Sequence, residues 1–378
     1  MKIVYISYAT IPSRTANSIQ VMKMCQAMAL NGHKVVLLVP DKKSESEKGI
    51  SDIYHFYGVK NCFEIRKIFC PLIKGKTLIF SFIAIYIAKK LKSDIIYTRS
   101  ILAGLVASFY RIPNICEYHQ SINNLIDTLF FRALIRSAML KRFVVVSYAL
   151  KCYYEEKFPL VKSRISVFPD GADLIAKDNI TPIKINNPGN KFLVGYAGHL
   201  YKGKGIEIIS KLAQLCPWAE FHIIGGMPED IAYWQVRLTP FKNIILHGFI
   251  PHREIYRYLL SFDALVAPYQ EQVSVYDGWK KTGGSGDVAK WMSPLKVFEY
   301  MSAGKAIIAS DLPVLKEVLK NENNVLLVSP GDVRFWERAL TRVRDDLGLR
   351  KQLGQQAKID IEKNYNWEKR ARQVLTGI

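Results

Sequence analysis

The stretch "KFLVGYAGHLYKGKGIEIISKLAQL" (residues 191–215) contains the pattern that decides the fold. Its opening part, "KFLVGYAG" (191–198), is an apolar run typical of a buried strand, and "IEIISKLAQL" (206–215) is typical of a helix. A glycine-rich turn joins the two segments. Strand, turn and helix in this order predict one repeat of an α/β fold with a parallel sheet.

The same alternation of strand-like and helix-like segments runs along the whole chain. A first series of strands is predicted at 2–8, 33–40, 93–98, 114–118, 142–147 and 164–169, with a helix at 18–32 after the first strand. A second series is predicted at 191–198, 219–226, 243–249, 263–269, 305–310 and 324–330, followed by a helical tail. Prolines and asparagines interrupt the pattern at 175–190 and indicate a linker.

Two series of this kind predict two Rossmann-like, doubly wound α/β domains that face a central cleft. We assign the N-terminal domain to 1–178 and the C-terminal domain to 190–363. The size agrees, because 378 residues exceed what one hydrophobic core usually supports. Ligands of such sheets bind at the carboxyl ends of the strands.

Composition and cysteine usage narrow the class of protein. A hydrophobic content of 49% and an aromatic content of 12% suit a well-packed globular protein. The first residues, "MKIVYISYAT", read as a strand and not as a signal peptide, so a cytoplasmic location is expected. The six cysteines form no CxxC pair and no Cys/His spacing of a zinc site, so neither disulfides nor a metal are expected.

The net charge of +20 is unevenly distributed. Residues 1–170 hold 25 Lys and Arg against 11 Asp and Glu (+14), and the remainder holds 28 against 22 (+6). A basic half indicates an anionic partner: nucleic acid, a phosphorylated ligand or an acidic membrane surface. Nucleic acid is disfavoured, because no helix-turn-helix or RNA-binding motif accompanies the charge.

Two apolar stretches with basic flanks favour the membrane. They are "TLIFSFIAIYIAKKLK" (77–92), which is too short to span a bilayer, and "LIDTLFFRALIRSAMLKR" (125–142), which mixes Leu, Phe and Ile with Arg and Lys. Each reads either as an interfacial helix or as an ordinary core helix with solvated basic residues. Together with the charge they predict peripheral attachment to an anionic membrane.

The turn "GHLYKGKG" (198–205) is a candidate phosphate loop. It nearly matches the P-loop of nucleotide triphosphatases, but Gly205 stands where a magnesium-binding Ser or Thr is required. A metal-free anion site made of Lys204 and backbone N–H groups fits better, and a plain strand-to-helix turn is the structural alternative. A further glycine segment, "GSGDVA" (284–289), follows no strand and is interpreted as a mobile lid loop.

The stretch "WMSPLKVFEYMSAGKAIIASD" (291–311) supplies a second anion site. Ser293 and Pro294 predict a helix start with Ser as the N-cap and Pro at the first helical position. The amides of Leu295 and Lys296 then point towards an anion. Glu299, one turn further along a buried helix, suits two ribose hydroxyls; an ion pair between Lys296 and Glu299 is the alternative.

With these motifs the chain resembles glycosyltransferase family 4, the retaining nucleotide-sugar enzymes of the GT-B fold, over nearly its whole length. "GHLYKGKG" resembles the family's "G-R-L-x-x-x-K-G" diphosphate loop, and "SPLKVFEYMSAGKAIIASD" (293–311) resembles its nucleotide-binding helix and the strand after it. "FPDGADL" (168–174) resembles the turn near the end of the first domain. "NWEKRARQVL" (366–375) resembles a helix that crosses back, so residues 364–378 are expected to pack on the N-terminal domain.

The resemblance implies a role for individual residues. Donor binding is assigned to Gly198, His199, Lys204, Ser293, Leu295, Lys296 and Glu299, with Lys204 at the diphosphate and Glu299 at the ribose. The implied catalytic residues are His119 of "CEYHQS", Lys204 and Glu299. The loop "IPSRTANS" (11–18) corresponds to the turn that faces phosphate or acceptor, with Ser13, Arg14, Thr15 and Asn17.

Two positions depart from the family pattern. His199 replaces the arginine of the diphosphate loop, and Trp291 stands where a first glutamate usually helps to hold the donor sugar. Asp287 in the adjacent loop is a candidate substitute for that glutamate.

The function implied is retaining transfer of a hexose or N-acetylhexosamine from a nucleoside-diphosphate sugar, with UDP expected and no metal or other cofactor. The acceptor is expected to be a hydroxyl of a lipid-linked saccharide in the synthesis of a surface polysaccharide such as lipopolysaccharide. We expect the enzyme at the inner face of the cell membrane. A non-catalytic protein of the same fold that binds a nucleotide sugar or a membrane is the alternative, followed by a P-loop-like NTPase.

Overall fold

The computed structural model describes residues 1–42, 46–70, 73, 75–175, 180–274 and 287–378. The chain divides into two compact units. Unit 1 comprises Met1–Asp170 and Trp367–Ile378, and unit 2 comprises Gly171–Asn366. These limits lie close to the domain boundaries expected at 178 and 363.

Within the described residues, unit 1 is built from seven strands and the helices between them. Its strands are β1 (Lys2–Ile6), β2 (Lys34–Pro40), β3 (Glu64–Ile68), β4 (Ile95–Thr98), β5 (Asn114–Glu117), β6 (Leu140–Val145) and β7 (Ile165–Val167). Its helices are α1 (Ala16–Leu30), α2 (Ile53–Tyr57), α3 (Lys76–Lys90), α4 (Ile101–Phe109), α5 (Leu125–Arg136) and α6 (Tyr148–Lys157), joined by the C-terminal helix, which is described below.

All seven strands pair in parallel, in the order β3-β2-β1-β4-β5-β6-β7. The central strands are buried on both faces, which explains their continuous apolar sequences. The six strands predicted for this half are present. The sequence prediction missed β3, because "EIRKI" is an edge strand whose mostly exposed side chains give no apolar run.

The described part of unit 2 contains six strands. They are β8 (Phe192–Ala197), β9 (Ala219–Ile224), β10 (Ile244–Gly248), β11 (Ala264–Ala267), β12 (Ala306–Ser310) and β13 (Leu326–Val328). The helices are α7 (Ile206–Leu215), α8 (Pro228–Leu238), α9 (Ile255–Leu259), α10 (Leu295–Ala303), α11 (Val333–Asp345) and α12 (Leu347–Asn364).

The sheet of unit 2 is also parallel, in the order β10-β9-β8-β11-β12-β13. The chain order reverses between β8 and β11, and such a switch point is where doubly wound sheets bind ligands. The segments that follow these two strands are the glycine-rich turn 198–205 and the loop that begins at Pro268. The predicted class of two Rossmann-like α/β domains is thus confirmed.

The C-terminal helix α13 (Trp367–Leu375) packs on α1 within unit 1. Arg142 on β6 secures its end, because the guanidinium donates to the carbonyls of Gln373 at 3.0 Å and Thr376 at 2.9 Å. Arg142 is the last residue of the stretch 125–142, which was predicted to favour the membrane. Its contacts assign it to holding the helix end instead.

The two stretches predicted to favour a membrane form helices with one buried face each. On α3 the buried face includes Phe80, Ala84 and Ile85, while Phe82 and Tyr86 are exposed. On α5 the first turn exposes Leu125 and Ile126. Within the described part of the chain, no helix is long and apolar enough to cross a bilayer.

Candidate active site

The glycine-rich turn of unit 2 ends in a backbone conformation that excludes a P-loop. Gly205 has φ +91°, and a Cβ atom at this position would lie 2.0 Å from the carbonyl oxygen of Pro268. A Ser or Thr, which a P-loop needs here to bind magnesium, does not fit. This geometry argues against the alternative of a P-loop-like NTPase.

Helix α10 begins one residue later than predicted. Its first residue is Leu295 and its N-cap is Pro294, with ψ 119° and no side-chain cap hydrogen bond, so Ser293 precedes the cap. The extended backbone of Pro294 explains the shift, because a residue in that conformation cannot be the first helical one. The amides of Leu295 and Lys296 remain the N–H groups that have no acceptor inside the helix.

Tyr300 fixes α10 against the switch point of the sheet. Its hydroxyl accepts a hydrogen bond from the N–H of Ala197, the last residue of β8, at 2.7 Å. It also lies 3.4 Å from the carbonyl oxygen of Val266 on β11. The helix start is thereby held beside the carboxyl ends of both strands.

Lys296 and Lys204 converge at this point. The Nζ of Lys296 lies 3.6 Å from the ring centroid of Tyr196 and 5.0 Å from that of Tyr269, and the Nζ of Lys204 lies 5.1 Å from the same Tyr269 ring. Lys296 is only 7% exposed, and its ammonium has no hydrogen-bond partner among the described residues. Gly198 permits this approach, since a Cβ atom there would lie 2.9 Å from Cε of Lys296.

Both lysines are electrostatically destabilised. Burial lowers the pKa of Lys204 to about 8. Burial, together with the nearby charge of Lys204, lowers the pKa of Lys296 well below its usual range. A bound anion would reverse both effects, because it favours the charged form of each amine.

Glu299 pairs with a histidine, not with Lys296. The Nε2 of His252, in the short helical turn His252–Glu254, lies 2.8 Å from Oε1 of Glu299. The ion pair between Lys296 and Glu299 considered from the sequence is not formed. Sequence reasoning missed His252, because a single histidine in a short turn carries no motif.

In unit 1, His119 belongs to a buried ionic cluster at the carboxyl end of β5. Its Nε2 lies 2.5 Å from Oε1 of Glu117, and Nη2 of Arg370 on α13 lies 2.9 Å from the same oxygen. Asp170 completes the cluster, with Oδ1 3.9 Å from that Nη2. Burial, with the charge of Arg99, lowers the pKa of His119, which favours the neutral imidazole.

A metal ion is a poor fit to this cluster. Glu117, His119 and Asp170 do offer ligand atoms within 4.8 Å of one another. The guanidinium of Arg370 already lies against both carboxylates and supplies the positive charge that they need. The absence of a metal from the reaction nevertheless stays a prediction.

The predicted phosphate or acceptor loop uses its side chains internally. Thr15 is the N-cap of α1, and its hydroxyl lies 3.0 Å from that of the buried Ser13. Arg14 forms an ion pair with Glu47 at 2.8 Å, and Asn17 accepts a hydrogen bond from Arg99. The loop therefore holds the start of α1 in place, and binding of phosphate or acceptor by these side chains stays a prediction.

Comparisons with known protein families identify the chain. A family model described as Glycosyltransferase Family 4 matches residues 18–175, and one described as Glycosyl transferases group 1 matches residues 178–360. The chain belongs to glycosyltransferase family 4. The suspected family is thus confirmed, and the two matches divide the chain close to the limit between units 1 and 2.

Among its relatives, this family 4 member is 25% identical over 301 residues to the Escherichia coli UDP-Gal:alpha-D-GlcNAc-diphosphoundecaprenol alpha-1,3-galactosyltransferase, covering 70% of each chain. An uncharacterized glycosyltransferase of Methanocaldococcus jannaschii is 24% identical over 241 residues, which are 61% of this chain and 56% of the relative. The chain thus spans little more than half the length of that second relative.

Solved structures confirm the GT-B fold. The Anabaena protein HepE, crystallised in complex with UDP, superposes with a TM-score of 0.71 at 13% identity, over 99% of this chain and 98% of that one.

The positions at which this family 4 member departs from the family pattern are partly explained. The ring of His199 stacks on Tyr201 at 4.7 Å between centroids and 8° between planes. Oδ1 of Asp287 accepts from the N–H groups of Val273 and Ala289, so it connects these two residues. Trp291 is half-buried just before α10. Half of the predicted lid (284–286) lies outside the described residues.

Proposed function

We propose that this family 4 glycosyltransferase transfers a hexose or N-acetylhexosamine from a UDP-sugar to a hydroxyl of a lipid-linked saccharide, with retention of anomeric configuration. The observation that carries the proposal is the buried ammonium of Lys296, without a hydrogen-bond partner among the described residues and beside a second lysine. Such an arrangement is unfavourable until an anion binds. A diphosphate at the switch point of the sheet is the anion that suits it.

The donor site would stabilise the leaving group. The diphosphate would be bound by Lys204, Lys296 and the amide N–H groups of Leu295 and Lys296. Negative charge develops on the diphosphate during transfer and would strengthen these contacts. Glu299, oriented by His252, would accept hydrogen bonds from the ribose hydroxyls. Gly198 leaves room for the amine, and His199 and Ser293 complete the edge of the proposed site.

The chemical step needs no protein nucleophile. The acceptor hydroxyl attacks the anomeric carbon on the face from which the diphosphate leaves, and a diphosphate oxygen takes the hydroxyl proton. The carbon–oxygen bond to the acceptor forms on the same face on which the bond to the diphosphate breaks, and this same-face attack retains the configuration. His119 is proposed to contact the transferred sugar as a neutral imidazole.

The nature of the acceptor is supported by a relative and by charge. The name of the Escherichia coli relative specifies a UDP-linked donor and a saccharide carried on diphosphoundecaprenol. A basic first half suits an acceptor with a diphosphate at an anionic membrane. A role in the synthesis of a surface polysaccharide follows from this acceptor class.

Calorimetric binding of UDP, GDP and ADP, followed by transfer assays with the corresponding sugars, tests the donor proposal. Lys204→Ala and Glu299→Ala are expected to weaken UDP binding at least about tenfold, the effect of losing about 1.4 kcal/mol of contact. Lys351→Ala, at an exposed position on α12, is the control. Unchanged UDP affinity in both site variants would overturn the assignment, and UDP binding without transfer or hydrolysis would favour the non-catalytic alternative.

Peripheral membrane attachment is supported by exposed apolar side chains in unit 1. At the start of α5, Leu125, Ile126 and Leu129 are 82%, 64% and 62% exposed, and Arg132 and Arg136 follow on the same helix. An apolar tip with basic residues behind it is typical of helices that lie in the interface of an anionic bilayer.

Flotation with phosphatidylglycerol vesicles tests this attachment, with phosphatidylcholine vesicles for comparison. The wild type should float with the anionic vesicles, and Leu125→Ser/Leu129→Ser should reduce the bound fraction. Val236→Ser/Leu347→Ser removes exposed apolar side chains from unit 2 and is the matched control. If both double variants lose the same fraction of vesicle binding, or if binding does not depend on salt and lipid charge, the membrane proposal is wrong.

A further inference from the structure

Glu117 is a carboxylate without solvent contact that receives hydrogen bonds from several elements of unit 1. Its Oε1 accepts from Nε2 of Gln20 at 2.9 Å and from Nη2 of Arg370 at 2.9 Å, in addition to the contact with His119. Its Oε2 accepts from the hydroxyl of Tyr97 and lies 3.4 Å from Nη1 of Arg370. Although burial opposes ionisation, Arg370 and His119 hold the pKa of Glu117 well below its usual range.

An ionised Glu117 determines the tautomer of His119. A carboxylate can only accept hydrogen bonds, so the proton between the two groups belongs to Nε2 of the imidazole. In a neutral ring Nδ1 is then the acceptor nitrogen. The carboxylate thus sets both the orientation of the ring and the hydrogen-bonding character of its other nitrogen.

Arg370 has contacts that no other side chain type could reproduce. Its Nε donates to the carbonyl of Pro169 at 2.8 Å, and Nη2 donates to that of Phe168 at 3.0 Å, while the fork of the guanidinium engages Glu117. A lysine offers a single point of charge and cannot hold three acceptors in fixed directions.

We propose that Arg370 is a positioning residue for the transfer reaction: from the C-terminal helix it holds Glu117, and through Glu117 it fixes His119 as the Nε2–H tautomer. The inference rests on the proposed role of His119 towards the transferred sugar. It gives α13 a part in the chemistry beyond its packing on α1.

The groups around the cluster determine how it titrates. Among the described residues, the titratable and charged groups that face His119 and Glu117 include Tyr5 on β1, Tyr97 on β4, Arg99 after β4, Cys116 on β5, Asp170 after β7 and Arg370 on α13. Arg370→Gln leaves Glu117 and Asp170 with less positive charge. The cluster is expected to bind a proton in place of the lost positive charge of Arg370. The pKa of His119 therefore rises.

Nitrogen-15 NMR of histidine-labelled full-length protein is a direct test that needs no activity. The wild type at pH 7 should show His119, assigned through His119→Gln, as a neutral ring protonated at Nε2. Arg370→Gln should give a mixture of tautomers or a protonated ring. A wild-type ring protonated at Nδ1 would overturn the inference, whatever the fate of the proposed function.

Steady-state kinetics tests the consequence for transfer. Arg370→Gln should lower kcat about 10- to 100-fold, the range known for groups that orient metal-bound histidines, and should shift the acidic limb of the kcat profile to higher pH. The KM for the donor should change little, because the donor site lies in unit 2. Arg370→Lys should restore part of the pH profile.

Arg372→Gln, an exposed arginine on the same helix, is the matched control and should behave as wild type. Circular dichroism spectra and melting curves that match the wild type show that unit 1 of each variant is folded, because UDP binding reports only on unit 2. If Arg370→Gln does not fold, Glu117→Gln must show the same tautomer change for the inference to stand. If kcat falls equally at every pH and the tautomer is unchanged, Arg370 only holds α13 in place, and the inference is wrong.

Discussion

Two lysines show how binding function opposes stability at single residues. Lys296 and Lys204 approach the same tyrosine ring, and burial lowers the pKa of both amines. The unfolded chain would bind protons at these amines more readily than the native protein does. Both side chains therefore destabilise the ligand-free protein at neutral pH.

Lys296→Met should raise the melting temperature of the ligand-free protein and weaken UDP binding at least about tenfold. Methionine keeps most of the volume but removes a buried amine that has no hydrogen-bond partner among the described residues. A gain of about 1–2 kcal/mol would correspond to roughly 2–8 °C for a unit of this size. Differential scanning calorimetry with and without UDP measures both effects. Lys351→Met is the control, and a variant that is less stable and binds UDP normally would contradict the prediction.

UDP binding should take up protons and weaken as the pH rises. The diphosphate favours protonated lysines, so their pKa values increase on binding from about 8 for Lys204 and from well below the usual range for Lys296. Affinity should fall between pH 7 and 9. Calorimetry in buffers of different ionisation enthalpy measures the proton uptake, which Lys204→Met should reduce; uptake that is zero in the wild type would refute the linkage.

At the scale of the element, the turn between β8 and α7 depends on backbone space. Gly205→Ala should cost more than about 2 kcal/mol of unfolding free energy and abolish UDP binding, because φ is +91° and Pro268 O is in the way. Gly331 has no atom within 4 Å of an added Cβ, so Gly331→Ala is the matched control. Urea denaturation compares the two variants, and equal stability would contradict this account.

Elements of a parallel sheet were predictable, and several partners in the sites were not. The apolar strands and the glycine turn before α7 are local patterns, so the sequence indicates them directly. His252 is 47 residues away from its partner Glu299 along the chain, and Arg370 is 253 residues away from its partner Glu117. Such pairs follow from tertiary packing, which no periodicity reports.

At the scale of the whole molecule, a histidine cluster in unit 2 should make stability depend on pH. His222 and His247 are hydrogen-bonded at 2.9 Å, and burial lowers the pKa of each to about 4. The unfolded chain, with a histidine pKa near 6.5, then takes up protons that the native protein does not. Stability should therefore decrease as the pH falls from about 6.5 to about 4.

Urea midpoints measured from pH 7 to pH 4 test this dependence. His247→Gln should flatten the decrease relative to the wild type, because one of the two titrating rings is gone. His55→Gln, at an exposed position in unit 1, should leave the slope unchanged. A slope in His247→Gln as steep as in the wild type would assign the acid sensitivity to other groups.

The late position of Arg370 in the chain has a consequence for biosynthesis. The ribosome completes the sheet of unit 1 by residue 170, but it adds the counter-ion of Glu117 only after all of unit 2 has been made. A nascent chain that stalls before α13 would contain the strands of unit 1, but Glu117 next to His119 would lack the positive charge of Arg370. On the proposed function, a chain that ends before α13 is expected to bind UDP through unit 2 without transferring sugar, because His119 lacks the support of Arg370.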